Sequence, residues 1–344
     1  MESSAKPVTQ GTAGLRAPGR LLIGLLKAAL GLILLAALIA WGQIDFNVLS
    51  NLAATPGNVA LCVGLIFLTV PLGALRWGLV LRTLNLSLPF NNLFHFFALA
   101  TVTNLVLLGP ASGDVLRGVL AWRALSGNSG RVAISVVADR ALGLLALLTV
   151  AVTVVALNWQ WVWSIPPLAA FGSLLILSFL AAIAGFAALF LAPNVVQRLA
   201  NWLSRWPSLA RLMTQLQAIM EMLRSSPAEL LAAFGLSLMI QLAALLGMLL
   251  IADAVKVGNL TLTDYLFASP LAFVANTLPL TPNGLGVGEA AFDQICHWLE
   301  AVPTSAGYSS IFFAFRAAAF LGYLLGLVSF AFYRDCSRTG QPAS

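Results

Sequence analysis

Six stretches of this chain, near 21–41, 58–80, 132–157, 165–192, 227–252 and 306–333, stay apolar for the length a helix needs to cross a bilayer, about 20 residues. Inside hydrocarbon only the chain itself can satisfy backbone N–H and C=O groups, so each stretch has to be an α-helix. Sixty per cent of the residues are hydrophobic, 9% are charged and the mean hydropathy is +0.94, values that a domain with a solvated surface cannot carry. The first run follows a basic leader, 1–20, that contains Lys6, Arg16 and Arg20, and it outlasts the roughly 7–15 residues of a secretory signal, so it is expected to be an uncleaved span.

Two further apolar stretches, 93–122 and 264–296, are interrupted by Pro and Gly in mid-run. The interruptions share the frame Asn-x-x-x-Leu-x-Pro, through Asn104, Leu108 and Pro110 in the first and Asn276, Leu280 and Pro282 in the second. Pro stops a helix, Gly (Gly113, Gly284, Gly286) allows tight turns, and a helix that restarts afterwards presents free N–H groups and a partial positive charge. Ser112 and Asn283 are candidate caps for the two restarts. These stretches read as re-entrant broken hairpins, tolerated where protein or a wet cavity surrounds them.

Basic residues cluster at alternate ends. Arg16 and Arg20 precede the first span, Arg76 and Arg82 close the second, Arg117, Arg123 and Arg131 flank the first hairpin, and Arg198, Arg205, Arg211 and Arg224 follow the fourth span; the connections between hold only Lys256. The positive-inside rule then puts both termini in the cytoplasm, the first hairpin on the cytoplasmic side and the second on the outer side. The expected fold is an all-α polytopic membrane protein, with six spans and two re-entrant broken hairpins arranged as an inverted repeat: 21–157 is the first repeat, 158–335 the second and 336–344 a cytoplasmic tail. A chance likeness of two Pro-containing hairpins is the competing reading. Residues 194–225 form an amphipathic insertion, lying in the cytoplasmic headgroup layer or folded back on the protein. Trp159, Trp161 and Trp163 look like an interfacial aromatic belt.

Three charges sit where none should. Asp139 and Arg140 lie ~13 Å into their span at 1.5 Å per residue, and Arg316 is about as deep in the last. A charge there costs at least about 2.5–3.5 kcal/mol, so such residues face a cavity, a partner or a substrate. Helical neighbours point about 100° apart, so Asp139 and Arg140 need partners from elsewhere. Candidates are Asp114 and Arg117 in the first hairpin, and Glu289 and Asp293, one helical turn apart, in the second. Structural pairing and a polar central cavity are both open readings. Lys27 and Arg76 lie near span ends, are expected to snorkel, and are assigned no function.

Several chemistries are excluded or unsupported. The chain has no Gly-x-x-x-x-Gly-Lys phosphate loop, no His-Glu-x-x-His helix and no Gly-x-Ser-x-Gly elbow. His95 and His297 lie in opposite halves, Cys62, Cys296 and Cys336 form no Cys-x-x-Cys pair, and no metal or cofactor is expected. The basic residues follow span ends, which argues against nucleic acid.

Ser112-Gly113-Asp114 with Arg117, then Asp139-Arg140, then Pro282-Asn-Gly284-Leu-Gly286-Val-Gly288-Glu289, then Arg316 together resemble the flippase-like family known from the lysylphosphatidylglycerol synthase transmembrane region, over about 20–335. The chain departs from that pattern at Ser112, where Gly is common, and Asp139, where Glu is common. In aminoacyl-phospholipid synthases the family continues into a soluble aminoacyltransferase domain, which is not expected in these residues. The resemblance implies lipid translocation and leaves the substrate open; a helix N-terminus with Arg117, Arg140 or Arg316 makes a phosphate site, so the expected cargo is an anionic lipid headgroup in a bacterial inner membrane, with membrane lipids as partners. Arg140, Arg316, Arg117, Asp114, Glu289, Asn104 and Asn276 are the candidate binding residues, and Asp139, Asp293, Pro110, Gly113, Pro282, Gly284 and Gly286 shape or gate the cavity. The alternatives are a membrane-embedded transferase acting on a lipid-linked headgroup and a non-catalytic partner of a separate lipid synthase.

Overall fold

The computed structural model describes residues 50–106, 112–125, 129–191, 198, 224, 226–278, 280–300 and 307–328. Those residues form helices and turns, with no strand among them. After a short α1 (Ser50–Ala54) come α2 (Pro56–Thr83), α3 (Phe90–Val106), α4 (Ser112–Ala124), α5 (Ser129–Leu157), a one-and-a-half-turn α6 (Trp159–Ser164) and α7 (Pro166–Leu191). The second half holds α8 (Pro227–Val255), α9 (Leu262–Asn276), a single 3-10 turn at Pro282–Gly284, α10 (Val287–Leu299) and α11 (Ser309–Val328).

Helices α2, α5, α7, α8 and α11 are each long and apolar enough to cross a membrane, and they correspond to five of the six expected spans. The expected first span, the leader, Lys27, the Pro110 break, the bulk of the 194–225 insertion, Cys336 and the tail lie outside the described residues. Each expected hairpin is a pair of helices packed on one another, α3 with α4 and α9 with α10.

Helix α2 is the hub. It packs along α8, α11, α3 and α5, and its buried side includes Cys62, Ile66, Gly73, Ala74 and Gly78. Small residues let these backbones approach closely, as helices in lipid require. A Cβ at Gly322 of α11 would stand 2.9 Å from the Val63 carbonyl of α2. An aromatic group, Phe273, Phe292, Phe312 and Phe315, joins α9, α10 and α11 with ring centroids 5.6–6.3 Å apart. Trp159 and Trp163 stack at 4.0 Å on the exposed side of α6, while Trp161 turns inward onto Phe267.

Candidate functional site

The start of α4 depends on Asn104. Near the end of α3, its Oδ1 accepts the Gly113 N–H at 2.8 Å and so satisfies one of the free donors of the restarting helix. Ser112 does not provide this cap; its hydroxyl donates to the Thr103 carbonyl at 3.4 Å. Gly113 is required by sterics, because a Cβ there would collide with the carbonyl of Ala100 on α3. Gly113→Ala is therefore expected to pry α3 from α4 and lower the unfolding temperature of the detergent-solubilised protein by several degrees, whereas Gly118→Ala, which meets only Val136 at 3.8 Å, leaves it nearly unchanged.

From α4 a chain of alternating charges runs through the bundle. Asp114, in the first turn of α4 where a negative charge is favoured, pairs with Arg117 at 2.9 Å and with Arg140 at 2.5 Å. Arg117 also binds Asp139 at 2.8 Å, and Asp139 takes a bidentate fork from Arg76 at 2.7 and 3.0 Å. Arg76 reaches on to the Ser237 hydroxyl of α8 at 3.3 Å. The Arg117 guanidinium lies 5.1 Å from the Trp77 ring and 5.3 Å from Phe97. Asp139, Arg117 and Arg76 are buried, while the Arg140 side chain is 55% exposed.

Arg76 corrects the sequence reading. It does not snorkel to a membrane face, because the Asp139 carboxylate lies within reach inside the bundle and satisfies its charge. The available signal was its place two turns inside the end of α2, with Arg82 already occupying that end. Asp139 and Arg140 indeed take different partners.

A second charge centre forms around α10 and α11. The backbone at Asn283, Gly284 and Gly286 is left-handed, with φ of 51°, 65° and 80°. This bend aims the Asn283 carbonyl at Arg316 Nη1, 2.9 Å away, and the residue at the N-cap of α10 is Gly286 rather than Asn283. Glu289 instead accepts the Gly286 N–H at 2.9 Å. Arg316 holds Glu289 through Nε at 2.7 Å and Nη2 at 3.2 Å, and Nη2 also meets Asn276 Oδ1 at 3.0 Å. Glu289 is fully buried.

Asp293 is not brought to this centre, which corrects its assignment to the cavity. Four residues of helix advance about 6 Å, enough to lift Asp293 to the level where α11 begins; there it accepts the Ser309 N–H at 3.0 Å and lies 3.5 Å from His297. His297 meets Glu300 at 3.0 Å, and His95 bonds the Asn91 carbonyl at 2.6 Å. No group of His, Cys, Asp and Glu suited to a metal occurs among the described residues.

The two centres share a plan. In each, an Asn stands at the end of the helix before the break, a Gly followed by an acid lies in the first turn of the next helix, and that acid takes the Nε of an Arg 26 or 27 residues further on; Asn104 caps the restarting helix, whereas Asn276 accepts from Arg316. They face one cavity of about 590 Å³. Arg76, Asn104, Asp114, Arg117, Asp139 and Arg140 of the first centre and Asn276, Asn283, Gly284 and Arg316 of the second line it, together with Phe97, Phe273, Phe312 and Phe315. Thr69, Gln241 and Tyr323 also reach it, and none of them was singled out in the sequence, where a lone polar residue in an apolar helix carries no directional signal.

An all-helical bundle with five helices long and apolar enough to cross a membrane, around a cavity lined by four arginines, marks a multi-pass membrane protein. The chain belongs to the lysylphosphatidylglycerol synthase TM region family, whose model matches residues 25–326. No curated protein and no solved structure matches it.

Proposed function

We propose that the protein is a lipid flippase or related lipid transporter of the inner membrane, carrying an anionic phospholipid or other lipid-linked headgroup between leaflets through this cavity. One observation carries the reading: Arg140 and Arg316, from matching places in the two halves, line the same cavity and each is held by an acid at a helix restart. A phosphate entering the cavity meets guanidiniums already oriented by carboxylates, which favours bidentate recognition. The matched hairpins support an inverted repeat, the arrangement in which two halves rock around a fixed site.

Purified protein in vesicles with fluorescent lipids provides the test. Wild type is expected to move phospholipid across the bilayer, and Arg140→Ala to slow it by at least about tenfold with little change in thermal stability, since that side chain is exposed. Absence of transport in the wild type, or full activity in the variant, overturns the reading. Turnover of a polyprenyl-phosphate donor without transport would favour the transferase.

A further inference from the structure

The charges around the cavity specify the charge of its cargo. Four guanidiniums, of Arg76, Arg117, Arg140 and Arg316, stand against three carboxylates, of Asp114, Asp139 and Glu289, which leaves one positive charge among the described residues. All six carboxylate oxygens already accept from a guanidinium: Asp139 from Arg76 and Arg117, Asp114 from Arg117 and Arg140, Glu289 from Arg316. The remaining polar side chains of the wall, among them Thr101, Gln241 and Thr277, are neutral hydroxyls and amides.

We infer that the cavity selects a lipid phosphodiester with one net negative charge and an uncharged, hydroxyl-bearing headgroup, and disfavours aminoacylated and phosphomonoester lipids. This rests on the transport reading above and narrows it. A phosphodiester monoanion extends the alternating chain by one link beyond Arg140, its exposed end, and offsets the one surplus positive charge among the described residues. The ammonium of an aminoacyl or ethanolamine headgroup would need a carboxylate, and each carboxylate here is engaged, so it would enter a low-dielectric site unpaired. A phosphomonoester dianion brings two negative charges to that single surplus positive charge and leaves one uncompensated. Neutral hydroxyls of a polyol headgroup match the hydroxyl and amide wall, where each can donate and accept.

The experiment compares trace phosphatidylglycerol, phosphatidylethanolamine, phosphatidate and lysylphosphatidylglycerol in vesicles containing the full chain, together with native mass spectrometry of the lipids that the purified protein retains. Phosphatidylglycerol is expected to exceed each of the other three by about tenfold or more in both rate and retention. Arg140→Gln, which removes the surplus charge, is expected to bring the retained ratio of phosphatidylglycerol to phosphatidylethanolamine to within about threefold of unity. Lysylphosphatidylglycerol moved or retained as well as phosphatidylglycerol overturns the inference and leaves lipid transport standing. Selective retention of phosphatidylglycerol with no movement supports the inference and overturns transport. Displacement of bound lipid by glycerophosphoglycerol or inorganic phosphate as readily as by intact lipid shows that a soluble phosphate is read, and the inference fails.

Discussion

Asp139→Ala is expected to cost about 3–5 kcal/mol of stability, the range for removing one partner from a buried ion pair, and to abolish lipid movement with it. Among the described residues Asp139 is the only carboxylate paired with Arg76, and it shares Arg117 with Asp114, so its loss strands one buried guanidinium and half-strands another. The affected links tie α2, α4 and α5 together. Asp139→Asn keeps the shape and one acceptor oxygen but removes the charge, and is expected to recover only part of the loss. Thermal unfolding of the detergent-solubilised protein measures both, with Arg140→Ala as the internal comparison. If Asp139→Ala unfolds within a degree or two of wild type, the central charge chain does not hold these helices.

Arg316→Ala is expected to be as severe by a different route. It leaves the buried Glu289 carboxyl with no cation and frees the carbonyls of Asn283 and Gly284, which Arg316 holds at 2.9 and 3.4 Å. The bend at 283–286 then loses its tie to α11, and a loss of about 3–5 kcal/mol follows from the unpaired carboxylate alone. Arg316→Lys is not a conservative change here, because a single ammonium cannot reproduce a fork that spans Glu289, Asn276 and two carbonyls. The double variant Arg316→Ala, Glu289→Gln removes the stranded charge and is expected to regain stability while remaining inactive in transport. A double variant no more stable than Arg316→Ala would show that the carboxylate is not the source of the loss.

Much of the architecture was legible in one dimension. The expected span at 58–80 is α2 at Pro56–Thr83, and that at 132–157 is α5 at Ser129–Leu157, because bilayer thickness and backbone satisfaction act on consecutive residues. The hairpin breaks announced themselves through Pro and Gly. Counting placed Asp139, Arg140 and Arg316 inside long apolar helices, and their need for distant partners followed from helix geometry. Asn104 and Asn276 stood out through their shared frame, but the sequence did not say that one caps a helix and the other holds an arginine.

By itself, then, the sequence determined a helical membrane protein with two interrupted helix pairs and charges inside apolar helices that need partners. Only the tertiary structure decided the pairing. Arg76 meets Asp139 across 63 residues because α2 crosses α5 at that height, and Asp293 leaves the cavity because α10 sets it one turn above Glu289, against the first residue of α11. A buried charge specifies that a partner must exist; which one it finds depends on where two helices cross, a relation between distant segments that no local pattern encodes.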